Sequence, residues 1–338
     1  MGVLRLCLVA MGVLPIIATA APNATAPVEA ASLLQRMNAA FSRLSYDGVF
    51  SYLSGNELTS LRVVHKVVDG VQRERLVHLN GAPREIIRHG ERVSCLVLPG
   101  DDLLVLEKSI PSGPFARAFV PEFDRITDTY SVGKFGDGRV AGRAAIRVAV
   151  SPKDKHRYGY RLWLDKDTSL LLRSELVDHE GNRLEIFMFN HVLLGEDVTE
   201  QALEPSDLSG SLASHLTLAP AGGHWQSERA EASAGVWSTR WLPPGFEMAG
   251  TDQRHKPGSG EKVDSLMYSD GLAAFSIYIE PLPDRGAASM ISQNGATVAV
   301  THTVGGTVDG ALQHYLVTLV GEIPVSTAQE IVASVHRR

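Results

Sequence analysis

Between Tyr46 and Pro99 the chain repeats one grammatical unit, a strand-length run rich in Val, Leu, Ile and Tyr followed by a two-residue turn. The runs are YDGVFSYLSG, LTSLRVVHKVV, VQRERLVHL, REIIR and VSCLVLP, and the last four are separated by Asp69-Gly70, Asn80-Gly81 and His89-Gly90. Asp-Gly and Asn-Gly mark hairpins because both central residues of a type I′ turn need positive φ. So short a link leaves no room for a crossover helix, so each strand must run antiparallel to the one before it. The spacing therefore predicts an antiparallel meander.

The same grammar returns further along. Ala144, Ile146, Val148 and Val150 alternate before Ser151-Pro152, and Tyr158, Tyr160, Leu162 and Leu164 then share one strand face, with Arg157, Arg161 and Trp163 on the other. A polar turn at 165–169 leads to a strand over Leu170–Val177, and Glu180-Gly181-Asn182 turns into LEIFMFN. In that last strand Leu184, Ile186 and Met188 alternate with Phe187 and Phe189, so it is apolar on both faces and needs cover on both, from a helix or from a lipid-like ligand. Ahead of the meander, Leu33, Leu34, Met37, Phe41 and Leu44 recur at helical spacing and predict an amphipathic helix over Ala31–Leu44.

From Gly195 to about Val236 the periodicity fades among Pro, Gly, Ser and Ala, which reads as the tail of one domain and a linker. WSTRWLPPGF then opens a second unit. It holds three candidate strands (LAAFSIYIEPL, ATVAVTHTV and ALQHYLVTLVGEIP) and a closing helix, STAQEIVASV, with Ser326 or Thr327 as its cap. The length of 338 residues suits two such cores. The boundaries expected are a signal segment over 1–21, a β domain over 22–200, a linker over 201–236 and a smaller α+β domain over 237–338.

Arg5, the apolar run from Leu6 to Ile17 and the small residues Ala18-Thr19-Ala20-Ala21 form the three regions of a cleaved secretory signal. The apolar run is short for a membrane span of ~20 residues, and Pro15 interrupts it. Cleavage leaves Cys95 as the single cysteine, so no intramolecular disulfide forms and the fold rests on core burial. Cys95 itself lies in an apolar run and reads as a small buried hydrophobe. A formal net charge of -6 lacks the basic footprint of a nucleic-acid binder.

Chemistry is sparse. No metal-ligand pair at helical spacing, nucleophile elbow, phosphate loop or dinucleotide fingerprint occurs. Gly136-Asp137-Gly138 and Gly305-Gly306 read as hairpin turns, and 254–260 as a loop. The best candidate for catalysis is the group His156, Asp165, Asp167, Asp178, His179 and Glu180, whose positions in turns and at a strand entry suit backbone capping better than acid–base work. The arginine excess between Arg62 and Arg92 suits the solvated face of a meander, or a hold on phosphates or a carboxylate-rich partner. Trp237, Trp241, Pro243, Pro244 and Phe246 suit either a domain-entry turn or a peptide-binding shelf. An exported hydrolase built on His156 remains the reading of a different class. No cofactor or metal is expected.

Three segments taken together, VAGRAAIRVAVSPKDKHRYGYRLWLDKDTSLLLRSELVDHEGN, WLPPGF and YSDGLAAFSIYIEPL, resemble the periplasmic negative regulators of the envelope-stress sigma factor, the RseB/MucB family, and RERLVHLNGAPREIIR extends the likeness toward the start. The resemblance implies a mostly β protein with α elements: an N-terminal domain similar to the lipoprotein carriers, a half-open antiparallel β-barrel with helices on its concave face, and a small C-terminal α+β domain. It implies a periplasmic, non-enzymatic protein that binds the periplasmic domain of an RseA/MucA-like membrane-spanning anti-sigma factor, shields it from the site-1 protease, and is released by lipopolysaccharide or other lipid; a homo-oligomer is left open. On that frame Leu184, Ile186, Phe187, Met188 and Phe189 are the candidates to line an acyl-chain site, and Trp241, Phe246, Phe275 and Tyr278 the candidates to border the anti-sigma contact. A periplasmic lipid or lipoprotein carrier is the alternative; it would share the first domain and has no evident need of the second.

Overall fold

The hairpins expected after Tyr46 form as β1 (Tyr46–Ser54), β2 (Glu57–Val68), β3 (Val71–His78), β4 (Arg84–His89) and β5 (Arg92–Val97). Asp69 and Gly70 both hold positive φ, 51° and 78°, as a two-residue type I′ turn requires. The structure is a computed structural model that describes residues 27–90, 92–97, 123–206, 214–218, 236–255, 262–282, 289–308 and 311–338. The signal segment, the Cys95 side chain, most of the linker and the loop over 256–260 lie outside the described residues.

A second series, β6 (Tyr130–Val140), β7 (Arg143–Pro152), β8 (Gly159–Asp165), β9 (Leu171–Val177) and β10 (Arg183–Leu194), joins the first when β10 pairs with β1. With β11 (Ser214–Leu218) on β5, the eleven strands run in the order β11-β5-β4-β3-β2-β1-β10-β9-β8-β7-β6, every pair antiparallel and the two end strands not joined. The sheet is open. Its inner face is covered by α1 (Pro27–Arg43), which buries Leu33, Leu34 and Met37 against Val148, Tyr160, Leu162, Leu164 and Leu171, and by α2 (Phe123–Thr129) through Ile126. The helical period of α1 and the two-residue period of β7 to β9 thus meet in one core.

The second sheet contains β13 (Glu247–His255), β14 (Lys262–Ser269), β15 (Ala274–Leu282), β16 (Ile291–Asn294), β17 (Thr297–Val308) and β18 (Ala311–Gly321) in the order β13-β14-β15-β18-β17-β16. Upon it lies α3 (Val325–Ser334), whose Ala328, Ile331 and Val332 share a core with Leu266, Ile277, Val298, Val317 and Leu319. A two-stranded ribbon of β12 (Trp237–Thr239) and β19 (Val335–Arg337) brings the start and end of this unit together. Trp237 anchors it, buried against Tyr315 with its indole N–H on Asp264 Oδ2 at 3.0 Å.

Four expectations are corrected. β11 falls inside the stretch read as linker and extends the first sheet. Gly136-Asp137-Gly138 lies within β6 at a bulge, with Gly138 backed against the Trp163 ring, and Gly305-Gly306 lies within β17; a glycine inside a strand marks a bulge or a close approach rather than an end. Strands β13, β14 and β16 escaped detection because polar residues crowd their runs and few apolar residues alternate. The closing helix starts at Val325 without a side-chain cap, so neither Ser326 nor Thr327 caps it.

Leu34 is fully buried between α1 and the sheet. Leu34→Ala is expected to destabilise the first domain by about 2–5 kcal/mol, the cost of lost burial plus a cavity, measured by denaturant unfolding.

Candidate functional site

A fully buried ion pair lies between the two sheets. Arg157, in the loop before β8, is 1% exposed and directs its guanidinium into the second unit. Nη1 donates to Asp270 Oδ2 at 2.5 Å, Nη2 to the carbonyl of Pro244 at 2.5 Å and Nε to Asp154 Oδ1 at 3.1 Å, while the cation lies over the Phe246 and Tyr130 rings at 5.1 and 5.5 Å. Tyr130 also donates its hydroxyl to Asp270 Oδ2 at 3.0 Å. The other oxygen of Asp270 accepts the backbone N–H groups of Leu272 and Ala273, so the turn between β14 and β15 holds the carboxylate in place. Gly245, at φ 86°, passes so close to Thr129 that a Cβ there would fall 2.5 Å from its Cγ2. The approach of the domains needs a glycine at that point.

Beside this pair, the His156 imidazole meets the Trp241 ring edge-on at 5.3 Å, and its Nδ1 lies 3.3 Å from Thr327 Oγ1 on α3. A second seam forms where the β1–β2 turn meets the β16–β17 turn. There the Glu185 carboxylate accepts from Tyr52 Oη at 2.7 Å, Ser54 Oγ at 3.2 Å and the Ala296 N–H at 3.2 Å. Burial, with Glu185 close by, pushes the Glu322 carboxyl up to about 8. Burial and the same carboxylates raise the Tyr52 phenol.

The six residues weighed for catalysis are not brought together. Asp165 is buried and takes Arg143 Nε at 2.6 Å and the Thr168 N–H at 2.9 Å; although burial opposes it, these bonds hold its carboxyl below the usual range. Asp178 accepts from the N–H groups of Glu180 and Asn182, whereas His179, Glu180 and Asp167 are exposed or turned outward. No group of three or more metal-ligating side chains occurs among the described residues. Of the arginine excess, Arg75 bonds Glu85, the Ala202 carbonyl and Ser206, and Arg62 chelates Asp47 with two bonds.

Phe187 and Phe189 point to the inner face, where they pack with Phe50 at centroid distances of 4.8–5.9 Å. The rings fill one another's space, and a Cβ on Gly48 would already fall 2.4 Å from Phe189. Ile186 and Met188 lie half-buried on the opposite face, and half-buried Leu184 packs toward the core beneath α1. Concavities of about 370 Å³ and 280 Å³ occur elsewhere, the first among Pro152, Gly159, Arg161 and Asp178, the second between α1 and the β8–β9 turn. Of the four partner candidates, Phe246 and Phe275 pack against one another with tilted rings in the second core, Trp241 is half-buried at the junction, and Tyr278 is 41% exposed on β15. Periodicity had no means of finding Arg157, Asp270, Glu185 or Glu322. The segments that meet at Arg157 and Asp270 lie 113 residues apart in the chain.

Two antiparallel units joined by a buried ion pair, with polar clusters engaged in turns and at the junction, define a two-domain β-sheet protein. The MucB/RseB N-terminal domain matches residues 29–207 and the MucB/RseB C-terminal domain residues 231–336. The chain belongs to the MucB/RseB family. It is 35% identical to the sigma factor AlgU regulatory protein MucB of Pseudomonas aeruginosa over 93% of this chain and 92% of that one, and 27% identical to the sigma-E factor regulatory protein RseB of Escherichia coli K12 over 93% and 92%. The crystal structure of MucB in complex with MucA(peri) is similar at a TM-score of 0.72 and 32% identity, covering 91% of this chain and 99% of that one.

Removing one partner of a fully buried ion pair leaves the other charge unpaired, so Arg157→Ala is expected to cost about 3–5 kcal/mol and to loosen the domains, seen as a lower unfolding midpoint and faster proteolysis near 236. Glu322 keeps its proton in the folded chain to about pH 8, whereas its ordinary value is 4.5. The unfolded chain loses this proton first, so stability falls as pH rises from about 5 to 8. Glu322→Gln is expected to remove that fall, measured as the thermal midpoint against pH.

Proposed function

We propose that this chain is a periplasmic regulator that binds the periplasmic region of a membrane-spanning anti-sigma factor, protects it from regulated proteolysis, and is released by lipid or lipopolysaccharide. The observation that carries the reading is the likeness across both domains to MucB in a structure where it is bound to MucA(peri). The second domain supports regulation over carriage, because the Arg157–Asp270 pair welds it to the sheet that a lipid carrier would need alone. Among the described residues no helix is long and apolar enough to cross a membrane.

On this reading Tyr278 and Trp241 offer their rings to the partner, and Phe246 and Phe275 support them from the core. An acyl chain that enters between the inner face and α1 must first part the Phe50, Phe187 and Phe189 rings, which gives lipid a physical route to changing the shape of the first domain. The protein works without a cofactor and without a catalytic residue.

The test uses residues 22–338 and the periplasmic segment of a single-pass anti-sigma factor from the same source. Saturable binding and slower cleavage of that segment by the site-1 protease are expected, with Tyr278→Ala and Trp241→Ala each weakening binding about tenfold or more, as aromatic anchors do. Failure to bind, together with capture of lipoproteins, would move the assignment to a carrier.

A further inference from the structure

The outer face of the first sheet, the one turned away from α1, carries two rows of side chains, of which only Trp163 and Met188 also pack against a buried core cluster. Cross-strand pairing sets them in register from β7 to β2: Arg147–Trp163–Arg173–Met188–Ser51–Ser60, and beside it Ala149–Arg161–Glu175–Ile186–Leu53–Leu58. Residues directly opposite in a ladder project to the same side. The face is therefore graded, arginine and tryptophan at the β7–β9 end and aliphatic at the β10–β2 end, where Leu58 is 57% exposed.

The basic end is a built surface. Arg147 lies over the Phe135 ring and Arg173 over the Trp163 ring, each at 4.6 Å, and the two rings meet edge-on at 6.3 Å. Arg161, Arg173 and Arg183 all converge on the single carboxylate of Glu175, which is almost wholly buried beneath them. Four arginines against three carboxylates, those of Glu175 and of Asp178 and Glu180 in the adjoining turn, leave this patch at +1 on a chain whose formal net charge is -6. Glu175 cannot satisfy them all: Arg161 and Arg183, with side chains 40% and 56% exposed, reach it only at 3.7 Å. Asp178 and Glu180 in the adjoining turn are occupied with Asn182.

We infer that this outer face docks the protein on an anionic phospholipid bilayer. Guanidinium groups with donors to spare take phosphates, and a tryptophan held at their level suits the headgroup region. The flanking Met188, Ile186, Leu53 and Leu58 supply the apolar strip that an interfacial surface buries at the acyl boundary. A purely ionic site for a small anion would have no use for that strip, which lies on the sheet face opposite the Phe50, Phe187 and Phe189 rings. The inference is independent of the anti-sigma reading, which concerns the second domain and the junction.

The experiment is co-sedimentation of the protein with vesicles of phosphatidylglycerol and phosphatidylethanolamine, and with vesicles of phosphatidylcholine, at low and high salt. Binding to the anionic vesicles that weakens with salt is expected, with little binding to phosphatidylcholine. The Arg161→Gln/Arg183→Gln double variant removes the two most exposed arginines of the patch and is expected to lower the partition coefficient roughly 30-fold, about fivefold for each charge at the surface. Arg161→Lys/Arg183→Lys should retain most of it, and Leu58→Ser should weaken binding at high salt more than at low. Thermal midpoints unchanged in all three variants confirm that folding is intact. Equal binding to both vesicle types, an unaffected double variant, or release by millimolar inorganic phosphate would each overturn the bilayer assignment. So would a double variant that loses the anti-sigma segment in solution, which would give this face to the protein partner.

Discussion

Everything between the two domains turns on one buried cation. A guanidinium withdrawn from water costs far more than a neutral side chain, and it is tolerated only when each donor finds an acceptor and the charge finds its counterion. Arg157 meets that demand with Asp270, the Pro244 carbonyl and Asp154, between the Tyr130 and Phe246 rings. These partners come from both domains, so the requirement for satisfaction becomes a requirement on their mutual placement. The close passage of Gly245 past Thr129, the packing of His156 against Trp241 and the Glu185 seam all follow from that placement. The junction also has an apolar part, since Leu272 and Ala296 of the second domain are buried in the core of the first, and polar geometry and apolar burial together define its closed state.

The first sheet shows how one strand can serve two surfaces. The alternation in β10 sends Phe187 and Phe189 inward to Phe50 and sends Ile186 and Met188 outward to Arg173 and Glu175. The open sheet makes both faces available to chemistry of different kinds: an aromatic interior under α1 and an arginine–tryptophan exterior. The family to which the chain belongs places such a sheet beside a small second domain, and the buried pair explains physically why the two act as a unit.

Much of the first domain was legible in the sequence because its signals are local. The turns at Asp69-Gly70 and Asn80-Gly81, the alternation over 144–150 and 158–164, and the helical stripe over Leu33–Phe41 each carry their geometry within a dozen residues. The second domain was less legible. Its strands β13, β14 and β16 hide among polar residues, and only β15, β17 and β18, which run through its centre, alternate clearly. Trp241, Phe246, Phe275 and Tyr278 were visible as aromatics, but whether each lies in the core, at the junction or in solvent depends on which face of a strand or turn it occupies.

By itself the sequence determined the antiparallel character of the sheets, the division into two units, the helix that covers the first and the absence of a recognisable catalytic motif, since these rest on periodicity, turn stereochemistry and composition. Only the tertiary structure decided that Arg157 reaches Asp270, that Glu185 and Glu322 share a seam, and that four arginines converge with Trp163 on one outer surface. Residues distant in the chain acquire a common environment only through strand register and domain docking, and burial, charge and hydrogen bonding have no value until that environment exists.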